Sequence, residues 1–116
     1  MRILVVDDNT EFCNNMKDIL DLQGHDTVCA GNGVMALKEI KEDGFAIALV
    51  DIVMPEMDGI TLLKKIKKIE PKLPVTLITS FAQEHSAGDA RREGAVALLT
   101  KPVNFDELER VLKSIS

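Results

Sequence analysis

The chain predicts a doubly wound α/β domain: three layers, with a five-stranded parallel sheet of order 2-1-3-4-5 and five helices. Three observations carry this expectation. Short apolar runs recur along the sequence, and each is followed by a segment with helical spacing. The connections are a few residues long, with no low-complexity linker. Two of the runs, Ile3-Leu4-Val5-Val6 and Ile47-Ala48-Leu49-Val50, lack polar alternation, which suits strands covered on both faces. Periodicity alone does not separate such a run from a buried helical segment. Right-handed crossovers and an edge-like second strand select the order 2-1-3-4-5.

Taken in order, the first strand is residues 3–6 and closes on Asp7 and Asp8. Phe12, Met16, Ile19 and Leu20 predict an amphipathic helix from about residue 9 or 10 to 22, with Gly24 at its end. Residues 26–30 are more polar and roughly alternating, as expected of an edge strand. Asn32 is placed to cap a second helix whose Ala36, Leu37 and Ile40 face the core, and Gly44 stops it. The third strand ends on Asp51, before a turn region marked by Pro55 and Asp58-Gly59. Leu62, Leu63, Ile66 and Ile69 form a third helical stripe that ends before Pro71. Residues 74–78 are the fourth strand and deliver Thr79 and Ser80 to its carboxyl end. Residues 83–93 read as a helix with Ala87 and Ala90 as its only apolar contacts, a thin face that is cheap to reposition. Residues 95–99 are the fifth strand, followed by Thr100-Lys101-Pro102. The last helix opens with Asn104 and Glu107 in capping-box-like spacing and turns Phe105, Leu108, Val111, Leu112 and Ile115 inward.

Composition narrows the function. A length of 116 residues suits one domain spanning 1–116, with a core that needs no metal or disulfide staple. A net charge of −5 argues against the domain itself gripping nucleic acid. No apolar stretch approaches membrane-spanning length, and Met1-Arg2-Ile3-Leu4 runs into a strand without signal-peptide architecture, so a cytoplasmic location is expected. Cys13 and Cys29 read as small core residues, and His25 and His85 as ordinary surface or edge histidines. Met54 and Met57 suit packing or partner contact rather than metal ligation. Lys64, Lys65, Lys67, Lys68 and Lys72 read as a solvated face, with docking of an acidic partner as the alternative.

In the predicted order, strands one and three are neighbours where the winding direction switches. Asp7, Asp8 and Asp51 therefore converge on the crevice there. Crowded carboxylates repel unless a cation is shared, and an all-oxygen ligand set points to Mg²⁺. Thr79 and Lys101 reach the same rim with a hydroxyl and a positive charge. Such a site suits phosphoryl transfer with Asp51 as the nucleophile, forming an acyl phosphate. Taken singly, each acid could be a cap or turn former, Thr79 a loop hydroxyl and Lys101 a surface charge. Their joint placement at strand ends is far more specific.

Through Val5-Val6-Asp7-Asp8-Asn9, Val50-Asp51-Ile52-Val53-Met54-Pro55-Glu56-Met57-Asp58-Gly59, Leu77-Ile78-Thr79-Ser80 and Thr100-Lys101-Pro102, the sequence resembles the receiver domain of two-component response regulators. The resemblance covers essentially the whole chain and implies a flavodoxin-like fold. It implies that Asp51 accepts a phosphoryl group from a sensor histidine kinase, a phosphotransfer protein or a small donor such as acetyl phosphate. Asp8, Asp51 and the Val53 carbonyl would bind Mg²⁺ directly, with Asp7 acting through water. Lys101 would pair with phosphoryl oxygens, Thr79 would swing in to the phosphate, and Lys101-Pro102 would be cis. Such a domain catalyses only its own phosphorylation and dephosphorylation. Its expected partners beyond the kinase are an output domain or protein target, and a second copy through the face of helix four, strand five and helix five.

One position departs from the pattern: Leu98 stands where many receivers carry a mobile aromatic, so switching should rely more on Thr79 and the segment after it. Val53 and Phe81, placed by the resemblance beside the path of attacking water, are both apolar and predict a long-lived phosphoryl group. Three other readings compete. An aspartate-nucleophile phosphatase of haloacid-dehalogenase type would carry an acid where Val53 stands. A flavodoxin-like cofactor binder would want a phosphate loop without Asp7-Asp8-Asn9, and aromatic rings over the flavin. A receiver-like docking module that is not phosphorylated usually lacks one of the acids or the lysine.

Overall fold

The computed structural model describes residues 1–42, 44–80 and 87–115. Strand and helix alternate through them as β1 (Arg2–Val6), α1 (Thr10–Leu22), β2 (Asp26–Ala30), α2 (Gly33–Glu42), β3 (Ile47–Asp51), α3 (Gly59–Ile69), β4 (Val75–Thr79), α4 (Ala87–Arg92), β5 (Ala97–Thr100) and α5 (Phe105–Ile115). The strands form one sheet of order β2-β1-β3-β4-β5, and every neighbouring pair is parallel. This is the architecture and order that the sequence predicts.

The continuous apolar runs are explained by a core on each side of the sheet. Leu4, Val6, Ala48 and Val50 point into one core with Ala36 and Ile40 of α2 and Leu62, Leu63 and Ile66 of α3. Their alternates Ile3, Val5, Ile47 and Leu49 point into the other, with Cys13, Met16 and Leu20 of α1 and Leu108 and Leu112 of α5. Both faces of β1 and β3 are thus removed from water, so polar alternation has no place in them. β2 pairs only with β1 and is the edge strand that its polarity predicts.

Side-chain oxygens close the helix starts. Asn9 Oδ1 accepts from the Phe12 amide at 3.0 Å, Asn32 Oδ1 from Met35 at 2.9 Å, and Asp58 Oδ1 from Thr61 at 2.8 Å. Asn104 Oδ1 accepts from both Asp106 and Glu107, at 2.9 and 3.1 Å. Each satisfies an amide that the first helical turn leaves without a partner.

Several boundaries differ from expectation. β4 starts at Val75 and includes Thr79; Pro74, with no N–H to give a ladder, enters only through its carbonyl, which accepts from Ala48 at 3.0 Å. β5 starts at Ala97: the Ala95 amide is bonded to the Ala90 carbonyl of α4, and Val96 meets β4 through its amide, which donates to the Val75 carbonyl at 2.8 Å. Ile69, predicted to face the core, is the last residue of α3 and is 39% exposed. Lys67 is not a solvated charge: its ammonium donates to the Leu73 carbonyl at 2.6 Å and holds the turn after α3. Of the helix predicted over 83–93, Ala87–Arg92 is described, with Ala90 buried. Phe81, Gln83, His85 and the side chain of Ala87 lie outside the described residues.

Among the described residues, the hydroxyls of Thr27 and Thr76 are buried without a hydrogen-bond partner. Thr76 Oγ1, in the middle of β4 and out of contact with solvent, makes no hydrogen bond. Thr76→Val replaces that hydroxyl by a methyl of the same shape and should stabilise the fold by about 1 kcal/mol. A urea midpoint that rises at unchanged slope would bear this out, and one that falls would contradict it.

Candidate functional site

Parallel strands bring their carboxyl ends to one edge, and the polar residues singled out above lie along it. Asp7 and Asp8 follow β1, Asp51 ends β3, Thr79 ends β4, and Lys101 follows β5. The register pairs Val6 with Val50, which sets Asp7 and Asp51 side by side. Carboxylate oxygens of Asp7, Asp8 and Asp51 all lie within 4.8 Å of one another. Asp7 and Asp51 are buried while Asp8 is exposed, so the cluster has two acids in its floor and one at its mouth.

The Lys101 ammonium lies 2.6 Å from Asp7 Oδ2 and 3.6 Å from Asp51 Oδ2. It reaches there from a connection whose Lys101-Pro102 peptide is cis, as the resemblance implies. Thr79 is fully buried at the end of β4, and its carbonyl accepts from the Lys101 amide at 2.9 Å. Val53 is half exposed, and its backbone N–H is bonded to the Asp51 carboxylate. Leu98 is half-buried against the core on the α2 and α3 side.

The surroundings of Asp51 favour its neutral form. Burial raises its pKa to about 6, the nearby Asp7 carboxylate pushes the same way, and Lys101 and the Val53 N–H oppose them. A proton therefore binds the folded protein more tightly than the unfolded chain. Metal-free stability should rise as pH falls from 7 through 6 towards 4, by about 1–2 kcal/mol given how close water comes to the site mouth. Saturating Mg²⁺ should remove the trend by favouring the carboxylate. Thermal melts at a series of pH values, with and without the metal, measure both; metal-free melting that drops steadily below pH 7 would contradict the expectation.

Three clustered carboxylates that repel one another when ionised match a hard divalent cation, which prefers oxygen donors. Carboxylates, a hydroxyl and an ammonium around one acid can together neutralise and position a phosphoryl group. Three further contributors were not legible in the sequence. The Asn9 amide donates to Asp7 Oδ1 at 2.8 Å and orients that acid. The Phe12 ring lies under the Lys101 ammonium, with Nζ 4.2 Å from its centroid. Gly59 packs directly on the backbone of Asp51 and Ile52. Asn9 offers only the weak hint of a cap position; Phe12 reads in sequence as core.

Comparison with known proteins agrees with this geometry. The family described as "Response regulator receiver domain" matches residues 3–113. A transcriptional regulatory protein, ZraR, of Klebsiella oxytoca is 40% identical over 110 residues, which cover 95% of this chain and 25% of that protein. The chain thus spans about a quarter of the length of such relatives. The chemotaxis protein CheY of Bacillus subtilis is 39% identical over 116 residues, covering 99% of this chain and 94% of the relative. The response regulator protein TrrA of Thermotoga maritima, solved in complex with Mg²⁺-BeF, superposes with a TM-score of 0.88 at 30% identity, covering 99% of this chain and 98% of that one. Members of this family are signalling modules of two-component systems rather than turnover enzymes; they bind Mg²⁺ at an acidic pocket and work with histidine kinases and output domains. Among the described residues no helix is long and apolar enough to cross a membrane. With its sheet order, its acids and lysine at one edge, and a family match across nearly all of its length, the chain belongs to the response regulator receiver domain family.

Proposed function

We propose that the chain acts as one receiver unit over residues 1–116, with Asp51 as its phosphoacceptor. An Asp51 carboxylate oxygen attacks the phosphorus of a phosphohistidine on a sensor kinase or phosphotransfer protein. The new O–P bond forms as the P–N bond breaks, and the departing imidazole takes up a proton. The observation that carries the reading is the convergence of Asp7, Asp8, Asp51 and Lys101 on one crevice at the sheet edge.

Each residue then has a role. Asp8, Asp51 and the Val53 carbonyl would hold Mg²⁺, with Asp7 assisting through water; the ion supplies neutralisation of the charge that builds on the phosphoryl oxygens. Lys101 exchanges its longer contact with Asp51 for a phosphoryl oxygen while keeping Asp7. Thr79 turns its hydroxyl to the phosphate. The resulting shift is read on the face of α4, β5 and α5, by an output domain, a protein target or a second copy of the chain. With Leu98 in place of an aromatic, Thr79 and the segment after it carry that change. The half-exposed Val53 gives water neither a base nor a hydrogen bond, which favours a long-lived acyl phosphate.

Incubation with acetyl phosphate and Mg²⁺, followed by intact mass measurement, tests the proposal. One phosphoryl group should be added to the wild type and none to Asp51→Asn. Equal uptake by the two proteins would remove Asp51 from the role.

A further inference from the structure

We infer that Phe12 is a positioning residue for phosphoryl uptake, acting through Lys101; the inference rests on the phosphoacceptor reading of Asp51. The Lys101 ammonium is held from two sides. On one side are Asp7 Oδ2 at 2.6 Å and Asp51 Oδ2 at 3.6 Å; on the other is the Phe12 ring, its centroid 4.2 Å away. An aromatic face attracts a cation through its quadrupole and offers no lone pair to hold a particular N–H. The ring thus supports the ammonium without competing for the donors that a phosphoryl oxygen needs.

The contacts form a closed circuit. Asp7 Oδ1 accepts from the Asn9 amide at 2.8 Å, and Asn9 Oδ1 accepts from the Phe12 amide at 3.0 Å. The Phe12 ring carries the Lys101 ammonium, which returns to Asp7 through Oδ2. These four residues link the start of α1, the end of β1 and the connection after β5. A lysine on a flexible stem loses rotamer freedom when held in one place. Here that ordering is complete before a phosphoryl group arrives. Phe12 also packs against the core shared by α1 and α5, a role that leucine would fill as well.

The test compares wild type, Phe12→Leu and Phe12→Tyr, each with and without Lys101→Met. It measures the acetyl phosphate labelling rate, and the affinities for Mg²⁺ alone and for Mg²⁺-beryllofluoride by amide NMR titration. Phe12→Leu should lower the labelling rate and the beryllofluoride affinity roughly three- to tenfold. It should leave Mg²⁺ affinity unchanged, Phe12→Tyr should restore both losses, and the Phe12→Leu effect should vanish in the Lys101→Met background. An unaltered rate, a matching loss of Mg²⁺ affinity, or an effect that persists without the lysine would overturn the inference. Wild type that takes up neither phosphoryl nor beryllofluoride would instead overturn the reading of Asp51 itself, an outcome distinct from active protein indifferent to Phe12.

Discussion

Gly59→Ala should lose about 3 kcal/mol or more of stability, a large share of the 5–15 kcal/mol that typically separates folded from unfolded domains. On helix propensity alone the change should help, since alanine is favoured over glycine in a helix by about 1 kcal/mol. Packing reverses the sign. A methyl group at Gly59 would lie 2.7 Å from Ile52 Cα and 2.9 Å from the Asp51 carbonyl carbon, with the Asp51 carbonyl oxygen closer still. All three are backbone atoms, so no side chain can rotate away. The same approach lets the Gly59 amide donate to the Ile52 carbonyl at 2.8 Å, tying the start of α3 to the strand end that carries the phosphoacceptor. Relief would have to come from moving β3 or α3, and either motion displaces Asp51. Gly44→Ala is the control, because a methyl there meets nothing within 4 Å. Urea unfolding of the two variants decides the matter: equal midpoints would show that the close approach carries no weight.

Lys101→Met should slow phosphorylation by acetyl phosphate about 10²- to 10³-fold, the usual effect of removing one preorganised charge or donor from such a site. The variant keeps the stem and deletes the only cation within salt-bridge reach of Asp7 and Asp51 among the described residues. Removing one partner of a buried ion pair commonly costs about 3–5 kcal/mol. Here part of that loss is avoidable, because Asp51 already titrates near pH 6 and can take a proton. Its midpoint should therefore move further up in the variant, while the stability loss at pH 7 stays below that range. Affinity for Mg²⁺ should be maintained or increased, since a competing positive charge has left the acids. Intact-mass time courses and an amide NMR titration with Mg²⁺ measure the two effects separately. Wild-type labelling rates in the variant would remove Lys101 from the chemistry; a parallel collapse of metal affinity would assign it to the acids rather than to the phosphoryl group.

Much of this was legible in the sequence because the relevant physics is local. Unalternated apolar runs become strands such as β3 when both faces are covered, and their lengths leave little freedom in where Asp7 and Asp51 emerge. Asn32 and Asn104 cap helices by bonding amides two or three positions on, which is a short-range rule. The errors are where local preference met a distant neighbour. Ile69 continues its apolar stripe in sequence, yet as the last residue of α3 it stays exposed. Lys67 belongs to a basic run, yet the turn after α3 curls back to present it with a carbonyl.

The order of elements, the sheet winding and the meeting of three acids with a lysine and a threonine at one edge follow from the amino-acid sequence alone. They depend on periodicity and on the handedness of crossovers, and both are properties of short segments. Only the tertiary structure decided that Lys101 bridges Asp7 and Asp51, that Phe12 supports it from behind, and that Asp51 is crowded enough to hold its proton up to about pH 6. Those facts depend on separations of a few ångströms between residues as much as 94 positions apart, and no local pattern encodes such a distance.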